Sequence, residues 1–82
     1  MGKLAMKPKH YQKLKLKVFK YLYTAKIPGG IKKALSSMTI RWKIYWASGG
    51  AFSNASEYHY LNDNHIDSAL KSIIKEYLGL GR

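Results

Sequence analysis

Hydrophobic positions recur along this chain with two periods, and the change of period divides it into elements. From Pro8 to Ala25, the residues Tyr11, Leu14, Val18, Tyr21, Leu22 and Ala25 share one face at about 100° per residue. Leu16, Phe19 and Tyr23 widen that face on one flank. Lys9, Lys13, Lys17 and Lys20 gather on the opposite face, with His10 and Thr24 beside them. Pro8 suits a first helical turn, where its missing N–H costs nothing. The spacing predicts a basic helix over residues 8–26, preceded by a short basic segment, 1–7, that is expected to fray. A brief alternation, Lys13-Leu14-Lys15-Leu16-Lys17-Val18, keeps a strand over 13–23 as the competing assignment, although it breaks at Val18-Phe19.

Ile27-Pro28-Gly29-Gly30 interrupts the pattern as a turn. About two helical turns follow over residues 31–37, with Ile31, Ala34 and Leu35 inward and Lys32 and Lys33 outward. The period then becomes two. Met38, Ile40, Trp42, Ile44 and Trp46 alternate with Thr39, Arg41, Lys43 and Tyr45, which predicts a strand from Met38 to Ala47. Ser48-Gly49-Gly50 reads as a hairpin turn, and a weaker second strand is expected from about Ala51 to Leu61. A three-residue loop there pairs Trp46 with Phe52, Ile40 with Tyr58 and Met38 with Tyr60. It also sets Arg41 against Glu57 on the other face. A two-residue loop would instead mix core with solvent residues, so the first register is preferred. The last element is a helix over residues 65–78, with Asn64 as N-cap and Asp67 as capping-box partner. Ile66, Ala69, Leu70, Ile73, Ile74, Tyr77 and Leu78 form its apolar stripe; Asp67, Lys71, Lys75 and Glu76 face water, and Gly79 ends it. The fold class these elements predict is α+β: one domain over 1–82 in the order α, short α, β, β, α. An antiparallel hairpin over 38–61 would be packed by the helices, its exposed edges offering a route to a homodimer.

Composition changes this picture through charge. The 82 residues carry 15 Lys and Arg against 4 Asp and Glu, a net charge of +11. Residues 1–43 hold twelve of the cations and no carboxylate, so the first half is a polycation. Apolar residues make up 46% of the chain, more than a solvated tail carries. There is no cysteine, hence no disulfide framework. No apolar run reaches the roughly 18–20 residues that span a bilayer, and the N-terminus lacks the apolar core of a signal peptide. A soluble, cytoplasmic protein is expected.

Three groups of residues can carry chemistry. The lysine row Lys9, Lys13, Lys17 and Lys20, extended by Lys26, Lys32, Lys33, Arg41 and Lys43, has the form of a phosphate-contacting surface; the plainer alternative is a solvated face that keeps a cationic protein dispersed. Only Arg41 and Arg82 among the cations are Arg, so contacts to the nucleic-acid backbone should dominate over base-edge recognition. Tyr45, beside Arg41 and Lys43 on the predicted strand, is a candidate for stacking a base. Trp42, Trp46, Tyr58 and Tyr60 are expected in the core. His59, Asp63, His65 and Asp67 lie close in sequence, but their spacing matches no closed metal site, and no converging pair of titratable groups suits acid–base catalysis.

The sequence therefore points to a small basic nucleic-acid-binding protein of low sequence specificity, for RNA or DNA. No catalytic role, metal, cofactor or small-molecule substrate is expected. Two alternatives stay open. One is an inhibitor or accessory factor of phage or mobile-element type, docking on an acidic protein surface or nucleoprotein, for which Leu16, Phe19 and Tyr23 would supply apolar contacts. The other is a membrane-active cationic protein, similar in composition to small Trp-containing bacteriocins.

Overall fold

Helices build the fold, and the element that alternates most cleanly in the sequence is one of them. The computed structural model describes residues 6–49 and 60–80. In chain order these form α1 (Pro8–Thr24), a 3-10 helix (Ile31–Ser36), α2 (Met38–Ala47) and α3 (Asp63–Leu80). No strand occurs among the described residues. The expected α+β fold is thereby overturned, and residues 38–47 are its point of failure. The partner strand, about 51–61, falls almost entirely outside the described residues; Tyr60 and Leu61, its last two, are a turn and irregular backbone. With the first strand absent, the exposed hairpin edges expected to pair two copies are absent from it as well.

Local chemistry explains why α2 is a helix despite its β-branched and aromatic residues. Ser37 is the N-cap, its Oγ accepting from the Ile40 N–H at 3.2 Å, which satisfies one of the open donors of the first turn. At the other end Ser48 and Gly49 close the helix. The Ser48 Oγ donates to the Tyr45 carbonyl at 2.8 Å, and Gly49 adopts φ 127°, a conformation that suits glycine. Gly49, read as part of a hairpin turn, thus begins a helix exit, and Gly50 lies outside the described residues. A helical period turns Ile40, Arg41, Ile44 and Tyr45 inward as neighbouring i, i+3 and i+4 positions. Helix α2 then packs against α1, the 3-10 helix and α3, and that burial outweighs weak intrinsic propensity.

α1 and α3 follow the sequence more closely. Tyr11, Leu14, Val18 and Leu22 of α1 are buried against Ala69, Leu70, Ile73 and Ile74 of α3, with Ala34, Ile44 and Tyr45 completing the core. Each fully buried Leu, Ile or Val contributes about 1.5–3 kcal/mol of apolar transfer. Helix α1 has no side-chain N-cap; the Lys7 N–H donates instead to the Tyr60 hydroxyl at 2.8 Å, and His10 Nδ1 meets the same oxygen at 2.9 Å. His10 is therefore buried rather than placed beside the lysines, and Met6, just before the helix, is 2% exposed. Between α1 and the 3-10 helix, Gly30 N–H donates to the Ile27 carbonyl at 2.7 Å across Pro28 and Gly29, whose φ is 85°. Pro at the second position and a positive-φ glycine at the third are the chemistry of a type II turn. Helix α3 begins two residues before the predicted span. Asn62, not Asn64, is the residue whose side chain caps it, Oδ1 accepting from the His65 N–H at 2.9 Å. At the far end the helix runs through Gly79 to Leu80 instead of ending there.

One pair ties α1 to α3 outside the apolar core. The Tyr11 hydroxyl donates to Glu76 Oε2 at 2.6 Å and lies 3.0 Å from Ser72 Oγ, while Lys15 Nζ is 3.2 Å from Glu76 Oε1. The hydrogen bond from Tyr11, then the Lys15 charge, hold the Glu76 carboxyl below its ordinary value. Burial, then the bond to Glu76, push the Tyr11 phenol up. A depressed carboxyl contributes stability above the ordinary glutamate range, and that contribution is lost as pH falls through the depressed value. A raised phenol contributes stability below about pH 10, lost as pH rises from there. Tyr11→Phe should therefore lower stability near neutral pH by about 1 kcal/mol, a modest figure because the Glu76 carboxylate is partly solvated. Denaturant titrations at several pH values check this: the gap between variant and wild type should narrow below about pH 4.

Candidate nucleic-acid interface

The amphipathic split of α1 sets up the site. Its apolar face must turn to α2 and α3, which leaves Lys9, Lys13, Lys17 and Lys20 on the outer face, all four exposed. At 3.6 residues per turn these lysines occupy an arc of about 80°, along about 16 Å of helix. Tyr21 follows about 40° beyond Lys17, on the side where α1 meets α2. Half-buried Phe19 lies on the other side, edge-on to Tyr77 of α3 at 5.2 Å. Leu16 and Tyr23 sit between Phe19 and the lysines and are exposed. Like charges at i, i+4 spacing disfavour an isolated helix by a few tenths of a kcal/mol per pair. Packing of the apolar face holds this row of cations in place.

The row continues past the end of α1. Tyr21, Lys26, Ile27 and Pro28 meet Ile40, Lys43 and Ile44 of α2 around a cleft of about 250 Å³. Lys26 and Lys43, seventeen positions apart in sequence, thus border one concavity beside the lysine row. Lys33 folds back over the turn, its Cδ lying 3.2 Å from where a Cβ on Gly29 would stand. Lys32 is exposed on the 3-10 helix. The described carboxylates, Asp63, Asp67 and Glu76, all stand on α3.

Two expected site residues lie elsewhere. Arg41 is 5% exposed and is committed to the interior. Its Nε and one terminal nitrogen donate to Asp67 Oδ1 and Oδ2 at 2.7 and 2.9 Å. The other terminal nitrogen donates to the carbonyls of Ala34 and Leu35 at 2.8 and 3.1 Å. It cannot also hold a phosphate or a base edge, and Asp67, read as a solvated capping residue, is its counter-charge. Tyr45 is 3% exposed and belongs to the core. It stands edge-on to both indoles of α2, with ring centroids 5.0 Å from Trp42 and 5.1 Å from Trp46.

The helical period also exposes what a strand would have buried. Met38, Trp42 and Trp46 recur at i, i+4 and i+8 and form one outward stripe with Thr39, Lys43 and Ala47. Met38 is 53% and Trp46 62% exposed, and Trp42 is half-buried. The i+4 spacing of the two tryptophans behind a serine cap is the signal in the sequence for this face. Among the described residues no three His, Asp or Glu side chains gather as a metal site, and no helix is long and apolar enough to cross a membrane. Comparison with protein-family models, with curated proteins and with solved structures finds no match to this chain.

Proposed function

We propose that this is a small nucleic-acid-binding protein, acting in the cytoplasm without catalytic chemistry, that grips phosphates through lysines on one face. The observation that carries the reading is the set Lys9, Lys13, Lys17, Lys20, Lys26 and Lys43: six exposed lysines on the outer face of α1 and around the cleft it shares with α2. With Arg41 withdrawn into the core, every exposed cation among the described residues is Lys. Lys meets phosphate as a point charge and lacks the planar fork that reads guanine edges. Binding is then set by the backbone, tolerant of sequence and strongly dependent on salt.

Exposed Leu16 and Tyr23 beside the lysines keep docking on an acidic protein surface as the second reading. Salt separates the two. Gel shifts with RNA, single-stranded DNA and duplex DNA at about 50 and 200 mM salt should show affinity falling by about 10³-fold or more when six or so phosphates are contacted. Absence of binding to all three probes at low salt would reject the nucleic-acid reading.

A further inference from the structure

We propose that the outward stripe of α2 takes the unpaired bases of a single-stranded nucleic acid, stacked on Trp46 and Trp42, while the neighbouring lysines hold its phosphates. This rests on the phosphate-binding reading above and names the form of nucleic acid that the site selects.

The first support is the way the indoles are held. Tyr45 wedges between them from the core side, edge-on to each at interplanar angles of 74° and 76°. A buried ring in contact with both limits how far they turn, so ordering them costs a ligand little. The second support is charge. Lys43 stands within the stripe and also borders the cleft with Lys26 and Tyr21, next to the Lys17 edge of the α1 row. Helix α2 itself carries no carboxylate. The occupant must therefore present negative charge to lysines and flat apolar faces to tryptophans within one short span.

A single strand does this at every nucleotide. A duplex keeps its base faces inside and can meet only the lysines. An acidic peptide matches the charge but has no regular supply of planar rings. An anionic lipid surface matches charge and apolarity, but its fluid chains make no use of two indoles braced by a buried ring.

The test uses the tryptophans themselves, because Trp42 and Trp46 are the only two in the chain and both belong to this stripe. The full-length protein is titrated with an oligouridylate, a DNA duplex of equal length and phosphatidylserine vesicles, following tryptophan emission and binding together. The oligouridylate should quench the emission, and the duplex should bind with little change in it. Trp46→Ala should weaken oligouridylate binding roughly 5- to 150-fold, the range for removing one base–aromatic stack, and leave duplex binding unchanged. Trp46→Phe, which keeps a ring, should retain most of the affinity, so a loss through misfolding is told apart from a loss of stacking. Equal affinity for both nucleic acids with unmoved emission would overturn the stacking proposal and leave the phosphate-binding reading standing. A response to vesicles with no nucleic-acid binding would overturn both, and so would the absence of any binding.

Discussion

Replacing Arg41 with Met is expected to destabilise the protein by about 3–5 kcal/mol, the range measured when one partner of a buried ion pair is removed. The guanidinium makes four hydrogen bonds, two to Asp67 on α3 and two to carbonyls at the end of the 3-10 helix. Its loss leaves a carboxylate with 13% of its side chain exposed facing no cation, and removes a donor from both carbonyls. Small domains have about 5–15 kcal/mol in total, so the change consumes a large share of the whole. Thermal unfolding should move down by about 4–8 °C per kcal/mol lost. Arg41→Lys should recover little, because one ammonium cannot serve the carboxylate and both carbonyls in that geometry. The double change Arg41→Met with Asp67→Leu should recover much of the loss, since removing both charges leaves neither unpaired. Had residues 38–47 been a strand with Arg41 turned to solvent, the single substitution would cost no more than about 0.5 kcal/mol.

The second large effect concerns binding and leaves the fold in place. Changing Lys13, Lys17 and Lys20 together to Glu should reduce affinity for single-stranded and duplex probes by about two orders of magnitude or more. It should also flatten the dependence of log K on log salt by about one unit for each phosphate the protein no longer neutralises. All three side chains are on the exposed face of α1. Stability should therefore change by less than about 1 kcal/mol, as surface substitutions do. Fluorescence anisotropy with labelled probes reads the affinity, and circular dichroism on the same samples reads the fold. Affinity that survives the triple change in a folded protein would place the site somewhere else.

Much of the architecture is legible in the sequence where apolar spacing is unambiguous. Helix α1 keeps its predicted face at Tyr11, Leu14, Val18 and Leu22, and α3 keeps Ala69, Leu70, Ile73 and Ile74. Residues 38–47 are different because they are apolar at both periods. Met38, Ile40, Trp42, Ile44 and Trp46 fit one face of a strand, while Ile40, Ile44 and Tyr45 fit one face of a helix equally well. Alternation alone favours the strand, but a two-stranded hairpin is marginal by itself, whereas a short helix can pack against three others. Signals for a helix are also present, in Ser37 as a cap and in the i+4 spacing of Trp42 and Trp46. The period of residues 38–47 also decides which of their side chains reach the site. Period two puts Arg41 and Tyr45 in solvent and the tryptophans in the core; the helix reverses Arg41, Tyr45 and Trp46. The lysines of α1 are readable because their face follows from the same apolar stripe that builds the core. The Arg41–Asp67 pair is not, since no local pattern brings together residues twenty-six positions apart.

The proposed nucleic-acid interface is one face of a helical fold, the lysine row of α1 and the Lys26–Lys43 cleft beside it. Backbone amide shifts from NMR, followed while an oligouridylate is added, test it most directly and report on the helicity of residues 38–47 in the same spectra. Helical carbon shifts are expected across α2. Perturbations are expected to gather at Lys9, Lys13, Lys17, Lys20, Lys26 and Lys43, and at Trp42 and Trp46 where the bases stack, with the outer face of α3 around Lys71 and Lys75 unmoved. Extended shifts over 38–47, or perturbations confined to α3, would contradict this interface.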